Sequence, residues 1–479
     1  MEEYFTGELD RDIREIKTLF GESFDFITRE IDISGTRAFI ICVDGMFDEL
    51  KSTEAVIKPL TQRRAGIFLG DIYDDIRERL YKGTDTGEVR SPREAAISAI
   101  NGNLLLIAEG HRSALTFSLQ GYPKRSVSEP QSEQNEKGSQ EGFTDNFKDN
   151  VALLRRRLKS PELITEKTEM GNISRTPVIL CYVKGRADGA MLAQVRERLK
   201  NAELDSVLGT GYIRPFLDTD RASLFSGTGL TERPDTLAAM LTEGRVGIIV
   251  DGTPYAVIVP YLFSDELHTA DDYLSRPYYA LFMRLLRTIC FVIAVMLPGV
   301  FVAVCLFHPE MIPADIMYDI ASAESRTPFP LTVEALVIHL IYEIVREAGL
   351  RMPVAIGHAV SIVGALVIGD TAVTAGLIAA PMLIVVALTA VSSSAVSKLH
   401  ESIAVMRFAF IIVGGLTGLY GIMVGTALMI TDMCSVSPFG VPYSAPFSPF
   451  VKKAQRDTIL RAGWKKLGRR QTTVGEMQF

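Results

Sequence analysis

The sequence predicts an α/β soluble head of two related subdomains, followed by an α-helical transmembrane domain of about four spans. Three observations predict it. From Leu281 to Met433 apolar runs are long enough to cross a bilayer, while the chain before them reads as water-soluble protein. Strand and helix patterns in that first part recur after roughly 140 residues. The apolar fraction of 47% is ordinary, so it averages two unlike halves. The expected division is a first subdomain over residues 1–125, a polar linker over 126–142, and a second subdomain over 143–280. A helical membrane domain follows over 281–433, and a basic tail over 434–479.

In the first subdomain, Arg37–Leu60 (RAFIICVDGMFDELKSTEAVIKPL) opens with a β-branched run, turns at an acidic-Gly pair and continues at helical spacing. Thr176–Leu199 (TPVILCYVKGRADGAMLAQVRERL) repeats the plan. Ile100–Leu119 reads as strand, Gly-containing turn and strand, and Gly244–Tyr261 reads likewise. In the latter, Asp251–Pro254 is the turn, because Asp-Gly supplies the backbone angles that a tight reversal needs. Between the repeats, Ser126–Gly142 is nearly free of apolar residues and cannot bury enough surface to order itself. Phe143–Ser160 then predicts a helix with a Thr N-cap. Its last-turn cations Arg155, Arg156 and Arg157 complement the helix dipole, either as a solvated helix end or by meeting lipid phosphate or a partner's acids.

Four segments are candidates for the membrane body. Thr288–Phe307 is the first span, preceded by Arg284 and Arg287 and kinked by Pro298-Gly299. Val373–Val396 and Ile403–Ile430 reach across about 30 Å of hydrocarbon, and Pro353–Gly369 is a thin span or a re-entrant helix. The cationic tail belongs on the cytoplasmic side by the positive-inside rule. The charged N-terminus lacks a cleavable signal, so the head belongs there too, and an even number of crossings follows. Gly414, Gly418, Gly421 and Gly425 form two GxxxG pairs, which let helices touch closely, within or between chains. Thr332–Leu350 carries Glu343, Arg346 and Glu347 on one face. The face points either to water at the interface, to an aqueous path, or to a surface salt bridge among the three. Asp370 poses the same alternatives.

Other function classes have little support. Net charge is −7, and basic residues cluster only in the tail, which argues against nucleic acid. The five cysteines show no CxxC or Cys/His spacing, and the six histidines show no ligand spacing, so no metal or cofactor is expected. Walker A, dinucleotide and nucleophile-elbow motifs do not occur, so no catalytic residue is assigned and the chain is read as a non-enzyme. Gly209-Thr210-Gly211 and Gly227-Thr228-Gly229 are read as turns.

Several strings together resemble one family. They are Thr231-Glu232-Arg233-Pro234, Glu243-Gly244-Arg245 and Asp251-Gly252-Thr253-Pro254 in the head. Ser325-Arg326-Thr327-Pro328-Phe329-Pro330 with Glu334, the run from Arg346 to Arg351, and the run from Ser361 to Gly369 follow. Ser437-Pro438-Phe439-Gly440-Val441-Pro442-Tyr443 opens the tail. From about Ala38 onward the chain resembles the A subunit of the GerA-type spore germinant receptors of Bacillus and Clostridium relatives. The resemblance implies a spore inner-membrane protein that joins a transporter-like B subunit and a lipoprotein C subunit, senses nutrients and triggers germination by ion release. It also implies a homo-oligomer forming the ion channel. Around its axis Pro353–Gly369 is expected as the lining, with help from Glu343 and Glu347, and Val363 and Val367, four apart on one face, as a dewetting constriction. Two places depart from the family pattern. Lys137–Phe143 is more polar than expected, and Asp370 stands where many members carry Gln. A sister group encoded with the dipicolinic-acid channel genes shares the same body, but Glu232-Arg233-Pro234 and Tyr273–Tyr279 fit the receptor subunits better. A carrier-type permease or a non-conducting anchor are the alternatives from other classes.

Overall fold

Runs of Val, Ile and Leu set the centre of the head. In the computed structural model, which describes residues 4–33, 35–61, 72–74, 76, 85–121, 130, 133, 135–218, 223–351, 369–467 and 473–477, these runs form two antiparallel five-stranded sheets. The first comprises β1 (Phe26–Ile33), β2 (Thr36–Val43), β3 (Thr86–Val89), β4 (Asn103–Ala108) and β5 (Ala114–Ser118), in the order β1-β2-β4-β5-β3. The second comprises β6 (Leu163–Met170), β7 (Thr176–Val183), β8 (Gly229–Thr231), β9 (Val246–Val250) and β10 (Ala256–Val259), in the equivalent order β6-β7-β9-β10-β8. Topology therefore repeats strand for strand.

The helices repeat as well. α1 (Leu9–Phe20) precedes the first sheet, α2 (Glu49–Ser52, carried on by Thr53–Ile57 and Lys58–Thr61) follows β2, and α3 (Pro92–Ile100) precedes β4. α4 (Phe147–Arg157), α5 (Gly189–Lys200) and α7 (Pro234–Thr242) take the same places around the second sheet, and α6 (Thr210–Leu217) lies before β8. Helices cover both faces of each sheet, so strands such as β9 (VGIIV) are buried at every position rather than alternating. One face of the first sheet packs Ile16, Phe20, Ala99 and Leu105, and the other packs Val56, Leu60, Leu104 and Leu106. Entry to α1 and to α4 is fixed in the same way. The Thr6 amide donates to Asp12 Oδ1 at 3.0 Å, and the Thr144 amide donates to Asn150 Oδ1 at 2.7 Å. Cys42 on β2 and Cys181 on β7 are likewise counterparts, both buried, and burial pushes both thiols up to about 12.

Two expectations for the second subdomain change. The N-cap of α4 is Asn146, whose side chain accepts from the Lys148 amide at 2.9 Å, and not Thr144, which is engaged with Asn150. Arg155 is no solvated helix end. It is fully buried and donates to Asp25 of the first subdomain through Nε at 2.7 Å and Nη2 at 2.8 Å. Thr165 Oγ1 donates to the same carboxylate at 2.7 Å, so a closed polar cluster rivets the repeats together. Arg156 and Arg157 reach Glu141.

Two short helices, α8 (Phe263–Glu266) and α9 (Ala270–Leu274), lead from the head into α10 (Pro277–Phe307), which runs away from it for 31 residues, about 46 Å. α11 (Ala314–Glu324) lies beyond its far end, and α12 (Leu331–Arg351) returns. After α13 (Gly369–Thr374), α14 (Ala380–Ala395) comes back to the head, and α15 (His400–Ser435) follows. The span expected over Val373–Val396 is shorter, because Gly376 adopts a positive φ of 68° and Pro381 opens α14 in its first turn.

The single straight span expected over Ile403–Ile430 is corrected more deeply. α15 breaks at Gly418 (φ 66°, ψ −152°), a conformation open essentially to glycine alone. Ser402 donates to the Leu224 carbonyl while Asp432 accepts from the Leu224 amide at 3.3 Å, so both ends of α15 meet one head residue. Thirty residues of straight helix would hold them about 45 Å apart. α15 is a helical hairpin whose limbs leave the head and return to it, and the count of four crossings is not confirmed. Its corner sits against Phe307, at the far end of α10. The chain then re-enters the head, where Phe439 joins the core of the second sheet and Val441, Ala445 and Val474 pack against Leu262.

Candidate functional site

The acidic helix Leu331–Arg351 is placed by its apolar stripe. Leu331, Ala335 and Ile338 pack against Met382, Val386, Ile411 and Val302. That packing turns Glu343 toward the first limb of α15. Its Oε1 lies 3.1 Å from Arg407 Nη1 and its Oε2 lies 3.4 Å from His400 Nε2, with Arg346 more distant at 3.9 Å. Arg407 is fully buried, donates through Nε to the Ala294 carbonyl at 3.0 Å and lies over the Tyr342 ring. Glu343, Arg407 and His400 thus tie α12, α10 and α15 at one point inside the helical bundle. Glu347 is not part of this cluster. It is exposed and pairs with Arg351 at 2.6 Å.

The other expected residues distribute as follows. Val363 and Val367 lie outside the described residues. Asp370 falls in the first turn of α13, and its side chain also lies outside them. Gly414 meets the backbone of Gly299, and Gly299 meets that of Phe410, so α10 and the first limb cross there with no room for a side chain. Gly418 forms the corner, Gly421 abuts Thr417 and Val413, and Gly425 faces the Phe410 ring across the hairpin. All four glycines serve contacts within the chain.

A second assembly of charge lies where the helices leave the head. Asp272 accepts from Arg287 Nη2 at 2.7 Å and from Arg284 Nε at 3.4 Å, while Arg284 also reaches Asp457 of the tail at 3.1 Å. His268, beside them, donates from Nε2 to the Thr458 carbonyl at 2.8 Å; burial and the Arg284 charge push its pKa down to about 4, so it stays neutral. Arg245 pairs with Asp265 inside the head, and Lys398, in the turn between α14 and α15, meets Glu133 Oε1 at 3.0 Å and Tyr261 Oη at 3.2 Å. Glu133 comes from the polar linker. Its other oxygen accepts from Thr231 Oγ1 at 2.5 Å and from the Glu232 amide at 3.1 Å, and Arg233 holds the linker carbonyls of Glu133 and Ser139. The Thr231-Glu232-Arg233-Pro234 string therefore fastens the linker to the head, and Glu133 carries the linker on to Lys398 of the helical domain.

This architecture has relatives. The family model described as Bacillus/Clostridium GerA spore germination protein matches residues 14–473. The chain belongs to the GerA family. Within that family it is 38% identical to spore germination protein KA of Bacillus subtilis over 461 residues, which are 95% of this chain and 85% of that protein. It is 30% identical to spore germination protein GerLA of Bacillus cereus, over 95% of this chain and 93% of that one. Among solved structures, the N-terminal domain of the A subunit of the Bacillus megaterium spore germinant receptor GerK3 aligns at 28% identity with a TM-score of 0.45. That alignment covers 55% of this chain and 98% of the GerK3 domain.

Several of the site residues escaped the reading of the GerA sequence. Arg407 was the most accessible of them, since a lone cation inside the apolar run Ile403–Ile430 is itself a signal for a buried partner. Lys398 and Glu133 carried no such signal. Each sits in a polar stretch, and only the fold brings them together.

Proposed function

We propose that the chain is the A-type subunit of a nutrient-responsive germinant receptor in the spore inner membrane, with head and tail on the core side. The observation that carries this reading is the family match across residues 14–473, joined to relatives that are themselves named spore germination proteins. The helix Pro277–Phe307, long and apolar enough to cross a membrane, and the two apolar limbs of the α15 hairpin support the membrane placement. The partners in this reading are a transporter-like B subunit, a lipoprotein C subunit, membrane lipid and further copies of the chain.

Several copies surround an axis and complete an ion path that one copy does not enclose. The described helices support this need for neighbours, because Val302, Ala335, Met382 and Ile411 fill the space between them. Pro353–Gly369 lines the axis, with Val363 and Val367 as the dry constriction. Glu347 and Asp370 supply cation preference, and Glu343 anchors the lining helix through Arg407 and His400. Nutrient bound elsewhere in the complex favours the wide state through its differential affinity, a few kcal/mol for a nearly complete switch.

The deciding experiment measures the mass of the detergent-extracted complex and then its single-channel current in planar bilayers. A ring of identical chains is expected. Val363→Ala or Val367→Ala should raise conductance or open the path without nutrient. A single copy per complex that passes no current under any stimulus would leave the non-conducting anchor in its place.

A further inference from the structure

The two limbs of α15 do not close on each other along their whole length. Diverging from Gly418, they leave a slot of about 330 Å³, at the small end of the range of roughly 300–1,000 Å³ found for ligand sites. Each wall is one helical stripe: Met406, Phe410 and Val413 on the outgoing limb, and Gly425, Leu428 and Asp432 on the returning one. Both stripes extend over seven residues, so the slot is about 10 Å long. Its walls are apolar except at the head end, where Asp432 stands. Gly425 is what keeps the slot open opposite Phe410, since a Cβ there would lie 3.2 Å from the ring.

Asp432 is only half engaged. Its Oδ2 accepts from Ser223 Oγ at 3.0 Å and from the Leu224 amide at 3.3 Å, whereas Oδ1 has no partner among the described residues. No lysine or arginine among the described residues lines the slot. An apolar channel two helical turns long, closed at one end by an open carboxylate oxygen, selects for a linear apolar body that ends in a cation with N–H donors. We propose that this slot binds a single-chain amphiphilic amine, with its ammonium on Asp432 and its alkyl chain between Phe410 and Leu428. Because the same carboxylate holds Ser223 and Leu224, an occupant pulls on the contact between hairpin and head. The slot therefore makes that contact sensitive to small amphiphiles. The inference rests on the hairpin alone and is independent of whether the chain conducts ions.

The test uses the full chain in phosphatidylcholine nanodiscs, with radiolabelled n-octylammonium as the probe and empty nanodiscs subtracted. Saturable binding with one site per chain is expected, at least tenfold tighter than that of n-octanol. Asp432→Asn, which can still accept from Leu224, should remove that tenfold preference. Ala409→Phe, which fills the slot, should abolish the saturable component for both probes. Should Ala409→Phe fail to fold, Val413→Phe on the same wall makes the same test. Non-saturable uptake, or equal binding of amine and alcohol by the unaltered chain, would overturn the proposal. So would competition by phosphatidylethanolamine at bilayer concentrations, which would assign the slot to a lipid headgroup.

Discussion

Arg155 shows what a residue's own neighbourhood leaves unsaid. In sequence it is the first of three cations at a helix end, and the dipole accounts for all three equally well. The fold separates them, sending Arg155 to a fully buried bidentate pair with Asp25, while Arg156 and Arg157 stay with Glu141 at the surface. The pair is closed on every side, since Arg155 Nη1 also donates to the Leu163 carbonyl at 2.7 Å and Thr165 completes the carboxylate. Removing one partner leaves the other charge buried without compensation, which costs about 3–5 kcal/mol. Arg155→Met should therefore lower head stability by about that amount. The double change Asp25→Leu with Arg155→Met, which removes both charges, should recover most of it. Denaturant unfolding of the full chain, followed by a head-specific probe, checks both; equal losses in the single and double variants would place the contribution in shape rather than charge.

At the scale of elements, the sequence was most legible where periodicity and turn chemistry agree. Both strand-helix repeats and the Asp251–Pro254 turn stand where their residues point, with Gly252 at a φ of 85°. The contacts of the linker's described residues were not legible, because Glu133, Ser139 and Glu141 are held by Thr231, Arg233 and the α4 arginines, none of them close in sequence. Nor was the bend in α15. A straight helix and a hairpin of the same residues bury apolar stripes of the same period, and only the conformation at Gly418 distinguishes them. A spin-label pair at Val405 and Ile430, both exposed, resolves the two forms. A straight helix separates those residues by about 38 Å, and the hairpin should give a much shorter distance. Gly418→Ala, forced into a glycine-only region, should cost about 1–3 kcal/mol in thermal unfolding. It should also broaden the measured distance distribution. An unaltered stability and a sharp long distance would remove the hairpin.

For the whole molecule, the central physical question is how a head made of two repeats acts on a bundle of helices. Two sheets with one topology, riveted by Asp25 and Arg155, form a stiff support. The helices meet it at defined places: Arg284 and Arg287 at the base of α10, Leu224 at the ends of α15, and Lys398 between α14 and α15. Of these, the Lys398 contact passes through a linker side chain, because Glu133 joins Lys398 on one side to Thr231 and Glu232 on the other. Its ion pair is largely shielded, with 28% and 13% of the two side chains exposed, so it outweighs a surface pair. Contacting residues in such a network couple by about 0.5–3 kcal/mol. Glu133→Lys and Lys398→Glu should each lower the hydrogen-exchange protection of residues 133–141 and of the turn around Lys398. The exchanged pair, carrying both changes, should restore part of that protection, since the attraction returns even though Thr231 and Tyr261 keep less suitable partners. Effects that simply add, with no recovery in the double variant, would mean that the linker is held by its backbone contacts with Arg233 and transmits nothing to the helices through Lys398.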